Sequence, residues 1–427
     1  MQLFEQNFAQ LAFFLYFCRL KTMQHIRYIS SVVLFLLISL CLSAQNATSS
    51  PSSRFGYGEL NDNIPVPFRS MGGVSVGLRR NNAINMAQPA SYTACDTMTF
   101  MFDVAASAIW TQYKDMNGSR NRPNGNLEYV TLQIPLWKQH IAFAAGVMPY
   151  SSVGYDFAVA GSEGGHDFTL KYMGEGGIAQ VCAGLSFNIL NWVALGANFY
   201  YMFGDVTNGT ELVFDESGIS GSLMYRNMEV RNFRMRYGLQ AFHTFAKDHE
   251  VVLGAVMEHR QRMNGEYVQY ELYTLDSVIV ESSGFQVPLY YSVGASYRYK
   301  DRLTVAFDFA RTEWSKAKYF GQKGQFKDRS RYALGVEYRH NPMSRNYGER
   351  MFWRTGVSMT DSYVRATNSK DWSVSLGMGF PLRTTATILN FAVEYTRRNP
   401  LQGMKENNLK FTLGVGVNET WFFKRKL

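Results

Sequence analysis

Beyond residue 44 the sequence has no apolar run of about 18 residues, which excludes a membrane-spanning helix in that part of the chain. Charge is sparse: Asp, Glu, Lys and Arg make up 18% of the residues, below the roughly one quarter usual for globular proteins. Proline is scarce, at 11, and there are 4 cysteines, Cys18, Cys41, Cys95 and Cys182, with no C-x-x-C spacing to suggest a metal. Cys95 and Cys182, the two outside the leader, are open to a disulfide or to two buried thiols. H-E-x-x-H, G-x-S-x-G and phosphate-loop patterns are missing, and His243, His249 and His259 are the nearest approach to a cluster of histidines. We therefore expect no enzyme activity, no metal and no cofactor. The formal charge is +9, but Lys and Arg are scattered and form no single basic face, so no nucleic-acid partner is expected.

What the chain does have is Gly 36, Tyr 26 and Phe 31, a composition that suits strands better than helices. From Met23 the sequence reads as a secretory signal: Arg27 in a short n-region, an apolar stretch from Val32 to Leu42, and Ala44 before Gln45. Residues 1 to 22 precede a complete signal, so Met23 is the expected initiator, the alternative being a long leader. Export is expected to leave a chain starting near Gln45, with residues 1–44 as the leader.

Residues 99–427 alternate with period two. In WSVSLGMGF (372–380), Trp372, Val374, Leu376, Met378 and Phe380 share one face, and Ser373, Ser375, Gly377 and Gly379 the other. RLTVAFDFAR (302–311), TILNFAVEYTR (387–397) and LKFTLGVGV (409–417) repeat the scheme, which sorts each set to one side of an extended strand. A soluble sandwich also alternates, but it puts Lys, Glu and Asp on its solvent face. Here the second face is mostly Gly, Ser, Ala and Thr, the segments approach the 9–11 residues that cross a bilayer at a tilt, and Trp and Tyr fall near segment ends. The expectation is all-β: a transmembrane, up-and-down antiparallel β-barrel, closed because open edges in hydrocarbon would leave unpaired backbone groups.

About sixteen stretches alternate, and an even count of about fourteen strands is expected. Short turns at 190–192, 246–250, 299–302 and 381–383 are assigned to the periplasmic side. Longer polar insertions, among them 114–126, 150–165, 205–227 and 313–328, are read as external loops. Residues 45–98 do not alternate, and a barrel this wide is not filled by its own wall, so they are expected to be a plug or hatch in the lumen.

Three stretches carry a resemblance: RSMGGVSVGL (69–78) followed by Gln88-Pro89-Ala90, AGVMPYSSVGYDF (145–157), and GLSFNILNWVALGANFYYMFG (184–204). Over residues 54–421 the chain resembles the outer-membrane long-chain fatty-acid transporter family, the FadL-like barrels, especially its Bacteroidetes-type members. The resemblance implies a fourteen-stranded barrel in a Gram-negative outer membrane, in contact with its lipid and lipopolysaccharide. It also implies an N-terminal hatch, and hydrophobic ligands that leave sideways through the wall. Carried over, Asn85, Gln88, Pro89 and Ala90 form the hatch turn, with Gln where the family has Asn, and Pro149, Ser151 and Gly154 lie at the wall irregularity. Arg234, Arg236 and Lys171 are candidate lumen charges. They would either attract a carboxylate-headed ligand or pair internally with Asp308, Glu337 or Glu394. Two functions follow: uptake of small, fatty-acid-like hydrophobic compounds, or a non-transporting scaffold or accessory subunit of an outer-membrane assembly or secretion complex.

Overall fold

The computed structural model describes residues 48–114, 118–216, 219–263, 265–271, 277–280, 285–319, 323–382, 387–399 and 404–420. The leader and its signal lie outside these residues. Fourteen antiparallel strands close on themselves. The first half of the wall is β1 (Thr99–Lys114), β2 (Ser119–Trp137), β3 (Ile141–Glu163), β4 (His166–Leu190), β5 (Val193–Phe214), β6 (Ser222–Phe245) and β7 (His249–Glu258). The second half is β8 (Tyr290–Tyr299), β9 (Leu303–Thr312), β10 (Arg329–Tyr338), β11 (Phe352–Asp361), β12 (Lys370–Pro381), β13 (Ile388–Asn399) and β14 (Lys405–Thr420). β14 pairs with β1, and β7 with β8.

The alternation has the sense expected for lipid outside. Along β12, Trp372, Val374 and Leu376 are exposed while Ser373, Ser375 and Gly377 are buried. Phe233 is 70% exposed and Leu253 56%, so the large side chains form the outer surface and the core lies in the lumen. A water-soluble sandwich would show the reverse, because its large side chains have nowhere else to escape water.

Three boundaries differ from the sequence reading. Two of the sixteen alternating stretches, 166–173 and 178–189, are one strand, β4. Another of the sixteen, 266–279, falls on a hairpin, Gly265–Glu271 with Ser277–Val280, that pairs with the outer part of β6 and is not part of the wall. Most of 114–126, 150–165 and 205–227 is strand as well, because β3 to β6 run 23, 25, 22 and 24 residues whereas β7 to β11 run 10 each. Those long strands exceed what a bilayer needs and rise as a sheet above the far rim. Their upper parts carry exposed Asp156, Glu163, Lys171 and Glu175, which is why they read as loops, whereas Val153, Tyr155, Val206 and Met228 are buried in an apolar cluster.

Candidate functional site

The lumen is occupied by residues 48–98, and the wall is shaped to receive their backbone. Gly196 and Gly238 face each other across β5 and β6, Gly254 and Gly294 across β7 and β8, and Gly335 and Gly356 across β10 and β11. A Cβ at Gly196 would collide with the main chain of Pro89, at Gly254 with the carbonyl of Val76, at Gly335 with that of Met71, and at Gly356 with the amide of Gly72; at Gly294 it would stand 2.6 Å from the Gly77 nitrogen. On the lumenal side Gly72 and Gly73 have φ of +71° and +78°, which a side chain would strain. The small face of the repeat thus exists because another main chain lies against it.

Charged groups clamp the same segment. Arg69 pairs with Glu128 at 3.0 Å, Arg80 with Glu337 at 2.5 Å, Asp62 with Arg329 at 2.9 Å, and Glu59 with Arg398 at 2.7 Å. Burial would raise the Asp62 carboxyl, but the guanidinium groups of Arg329 and Arg331 outweigh it and hold it well below the usual carboxylate range. Asp308 accepts the backbone N–H groups of Ser75, Val76 and Gly77 at 2.5, 2.8 and 3.3 Å.

Gln88 is fully buried. Its Nε2 donates to the carbonyls of Val76, Leu239 and Ala255 at 3.2–3.3 Å, and its Oε1 accepts from the Ala90 N–H at 3.4 Å, capping the short 3-10 helix Pro89–Ala94. Asn85 Nδ2 donates to Ser75 O at 2.8 Å, closing the loop that carries this turn. Ala90 O accepts from Arg79 at 2.9 Å and from Ser186 of the wall at 3.1 Å.

The ladder between β2 and β3 ends at Val130 and Val147, and the β3–β4 register shifts between Pro149 and Ser151. Above that point β3 bonds to the lumenal segment: Leu60 and Glu59 pair with Ser151 and Ser152, the Asn61 N–H donates to Tyr150 O at 2.9 Å, and the Gly154 N–H donates to Ser53 Oγ at 3.1 Å. Chain from within therefore caulks the break in the wall. Towards the outer mouth, Tyr57 packs 5.5 Å from Trp314 and 5.3 Å from Tyr319, and Tyr363 donates to Gly58 O at 2.6 Å. Burial drives the Tyr57 hydroxyl pKa up.

Arg234 and Arg236 come together, but on Glu258, a partner absent from the sequence reading: Arg234 at 2.5 Å and Arg236 through Nε. The three acids expected to pair with them are engaged by other groups: Asp308 holds backbone, Glu337 takes Arg80 and Arg354, and Glu394 lies 3.8 Å from Arg69. Lys171 is not in this cluster; it is exposed on the upper part of β4 and pairs with Glu211 at 3.3 Å. Cys95 and Cys182 are both free and buried. Cavities left in the lumen include one of about 90 Å³ between Asp62, Arg234, Glu258 and Arg331, and one of about 280 Å³ beside Arg69, Glu394, Arg398 and Lys410. Both fall below the roughly 300–1,000 Å³ of ordinary ligand pockets.

Glu258, Asp62 and the paired glycines escaped the sequence reading. The available signal was the Gly72-Gly73 pair together with glycines recurring on the small face of successive strands.

Closed wall, exposed apolar girdle and chain-filled lumen define a closed fourteen-stranded antiparallel β-barrel. A model of the BamG family matches residues 25–427, and the chain belongs to that family. Among solved structures, the chain is similar in fold to the Pseudomonas putida toluene transporter TodX, with TM-score 0.58, 14% identity, and 86% of this chain and 99% of that one covered. It is also similar to the Ralstonia pickettii toluene transporter TbuX, with TM-score 0.56, 16% identity and coverage of 84% and 98%. The CymD monoaromatic hydrocarbon channel aligns with TM-score 0.56, 14% identity and coverage of 87% and 100%. Comparison with curated sequences gave no match.

Proposed function

We propose that the protein is a sealed integral subunit of an outer-membrane assembly complex in a Gram-negative bacterium, retaining the architecture of a hydrophobic-compound channel without using its lumen as a path. The observation that carries this reading is the seating of residues 71–90 on the paired glycines, with the charges of Glu59, Asp62, Arg69 and Arg80 taken up by the wall. A movable hatch would need to leave those contacts, and each buried ion it abandoned would cost several kcal/mol. Membership of the BamG family agrees with work inside a complex. The tall sheet of β3 to β6 offers a broad surface beyond the bilayer.

A second reading, uptake of small hydrophobic compounds, is favoured by the likeness in fold to TodX and TbuX and by the interrupted β2–β3 ladder, where a lateral exit would fall. Mild-detergent extraction of a tagged chain separates the two. A particle much larger than one 48.7 kDa barrel, with other outer-membrane proteins at constant ratio, supports the subunit. A lone barrel whose deletion abolishes uptake of a labelled aromatic hydrocarbon supports the channel.

A further inference from the structure

The end of the barrel that carries the short turns, the periplasmic end by loop length, opens into a vestibule of about 1,090 Å³ beneath the lumenal segment. Arg79, Arg339 and Lys138 line it, and among the described residues none of the three has a carboxylate within salt-bridge reach. The Arg79 guanidinium lies 4.0 Å over the Phe242 ring and donates only to neutral acceptors, Ala90 O, Thr93 Oγ1 and Asn188 Oδ1. The Arg339 guanidinium lies 4.5 Å over Phe352 and donates through Nε to Arg350 O at 3.1 Å, while its Nη2 is buried without an acceptor, as is Arg350 Nε. Of the acids of the vestibule, Glu250 and Asp301 hold Arg298, and Asp96, exposed at its edge, accepts from the neutral Asn81 amide at 3.1 Å.

Cations held against apolar rings with no carboxylate beside them favour an incoming anion, because the anion supplies the missing counter-charge. The space exceeds the roughly 300–1,000 Å³ of small-molecule pockets, and Asn81, Asn191 and Gln139 border it with amides able to bond a peptide main chain. We propose that this vestibule docks an acidic, extended segment of a partner polypeptide on the periplasmic side. The proposal deepens the reading of the protein as a complex subunit and rests on it for the existence of the partner.

The full chain in zwitterionic nanodiscs is titrated with a fluorescent peptide alternating Glu and Ser, and with its Lys–Ser counterpart. Saturable binding of the acidic peptide alone, weakened about tenfold at about 0.5 M salt and to a similar extent in Lys138→Glu, is expected. Arg339→Glu is expected to add to the loss. Equal binding of both peptides, or unchanged binding in the double variant with its barrel still folded, overturns the proposal. So does capture of anionic lipid vesicles in place of the peptide. Recovery of the chain from membranes in a complex, with no peptide binding, overturns the vestibule alone; peptide binding by a chain always recovered singly leaves the vestibule standing and removes the complex.

Discussion

The carboxylate of Asp308 on β9 receives the backbone N–H of Ser75 at 2.5 Å, tying the centre of the lumenal segment to the wall. Val76 and Gly77 donate to the same carboxylate. Asp308→Ala strands three donors, at a cost of about 3 kcal/mol or more. Maleimide labelling of Val76→Cys is expected to be slow in the parent and clearly faster with Asp308→Ala.

Gly335→Val is expected to unseat the segment near Met71, whose carbonyl occupies the space a Cβ needs. Gly416→Ala is the control, since its nearest neighbour would be Ile388 O at an ordinary 3.7 Å. Ion conductance in planar bilayers should rise for the first and stay at the parental level for the second.

These glycines mark the limit of what the sequence made legible. Period-two alternation is a property of single strands, so Trp372 to Phe380 and Leu303 to Phe309 could be oriented from sequence, and the strand total with them. The pairing of Gly254 with Gly294, or of Gly335 with Gly356, is a property of register between strands, which no single strand encodes. The same applies to Arg234 and Arg236: their need for an acid was legible, but Glu258 as its source depends on Arg236 standing opposite Glu258 in the β6–β7 ladder.

Glu337 sits between Arg80 of the lumenal segment at 2.5 Å and Arg354 of the wall at 2.7 Å. Glu337→Gln leaves two buried guanidinium groups facing each other, for a loss of about 3–5 kcal/mol. Adding Arg80→Gln should restore part of it, read as the temperature at which the heat-modified band appears on gels.

Asp62 gives a pH test. Its folded pKa is depressed by Arg329 and Arg331, so its stabilisation is present above the unfolded value of about 3.9 and is lost only as pH falls through the lower folded value. The mobility of a spin label attached beforehand at Asn61→Cys should therefore be the same at pH 7 and near pH 4. In Arg329→Gln with Arg331→Gln the carboxyl returns towards its usual range, and the label's mobility near pH 4 should increase.

A sealed subunit keeps its lumenal segment on the wall while it works. Leu60 and Ser151 are direct cross-strand partners at the caulked break, so Leu60→Cys with Ser151→Cys locks the segment by a disulfide. In cells carrying the oxidised lock as their only copy, recovery of the chain in its complex and growth are predicted to match the parent. Loss of labelled aromatic hydrocarbon uptake on oxidation, regained on reduction, would contradict it.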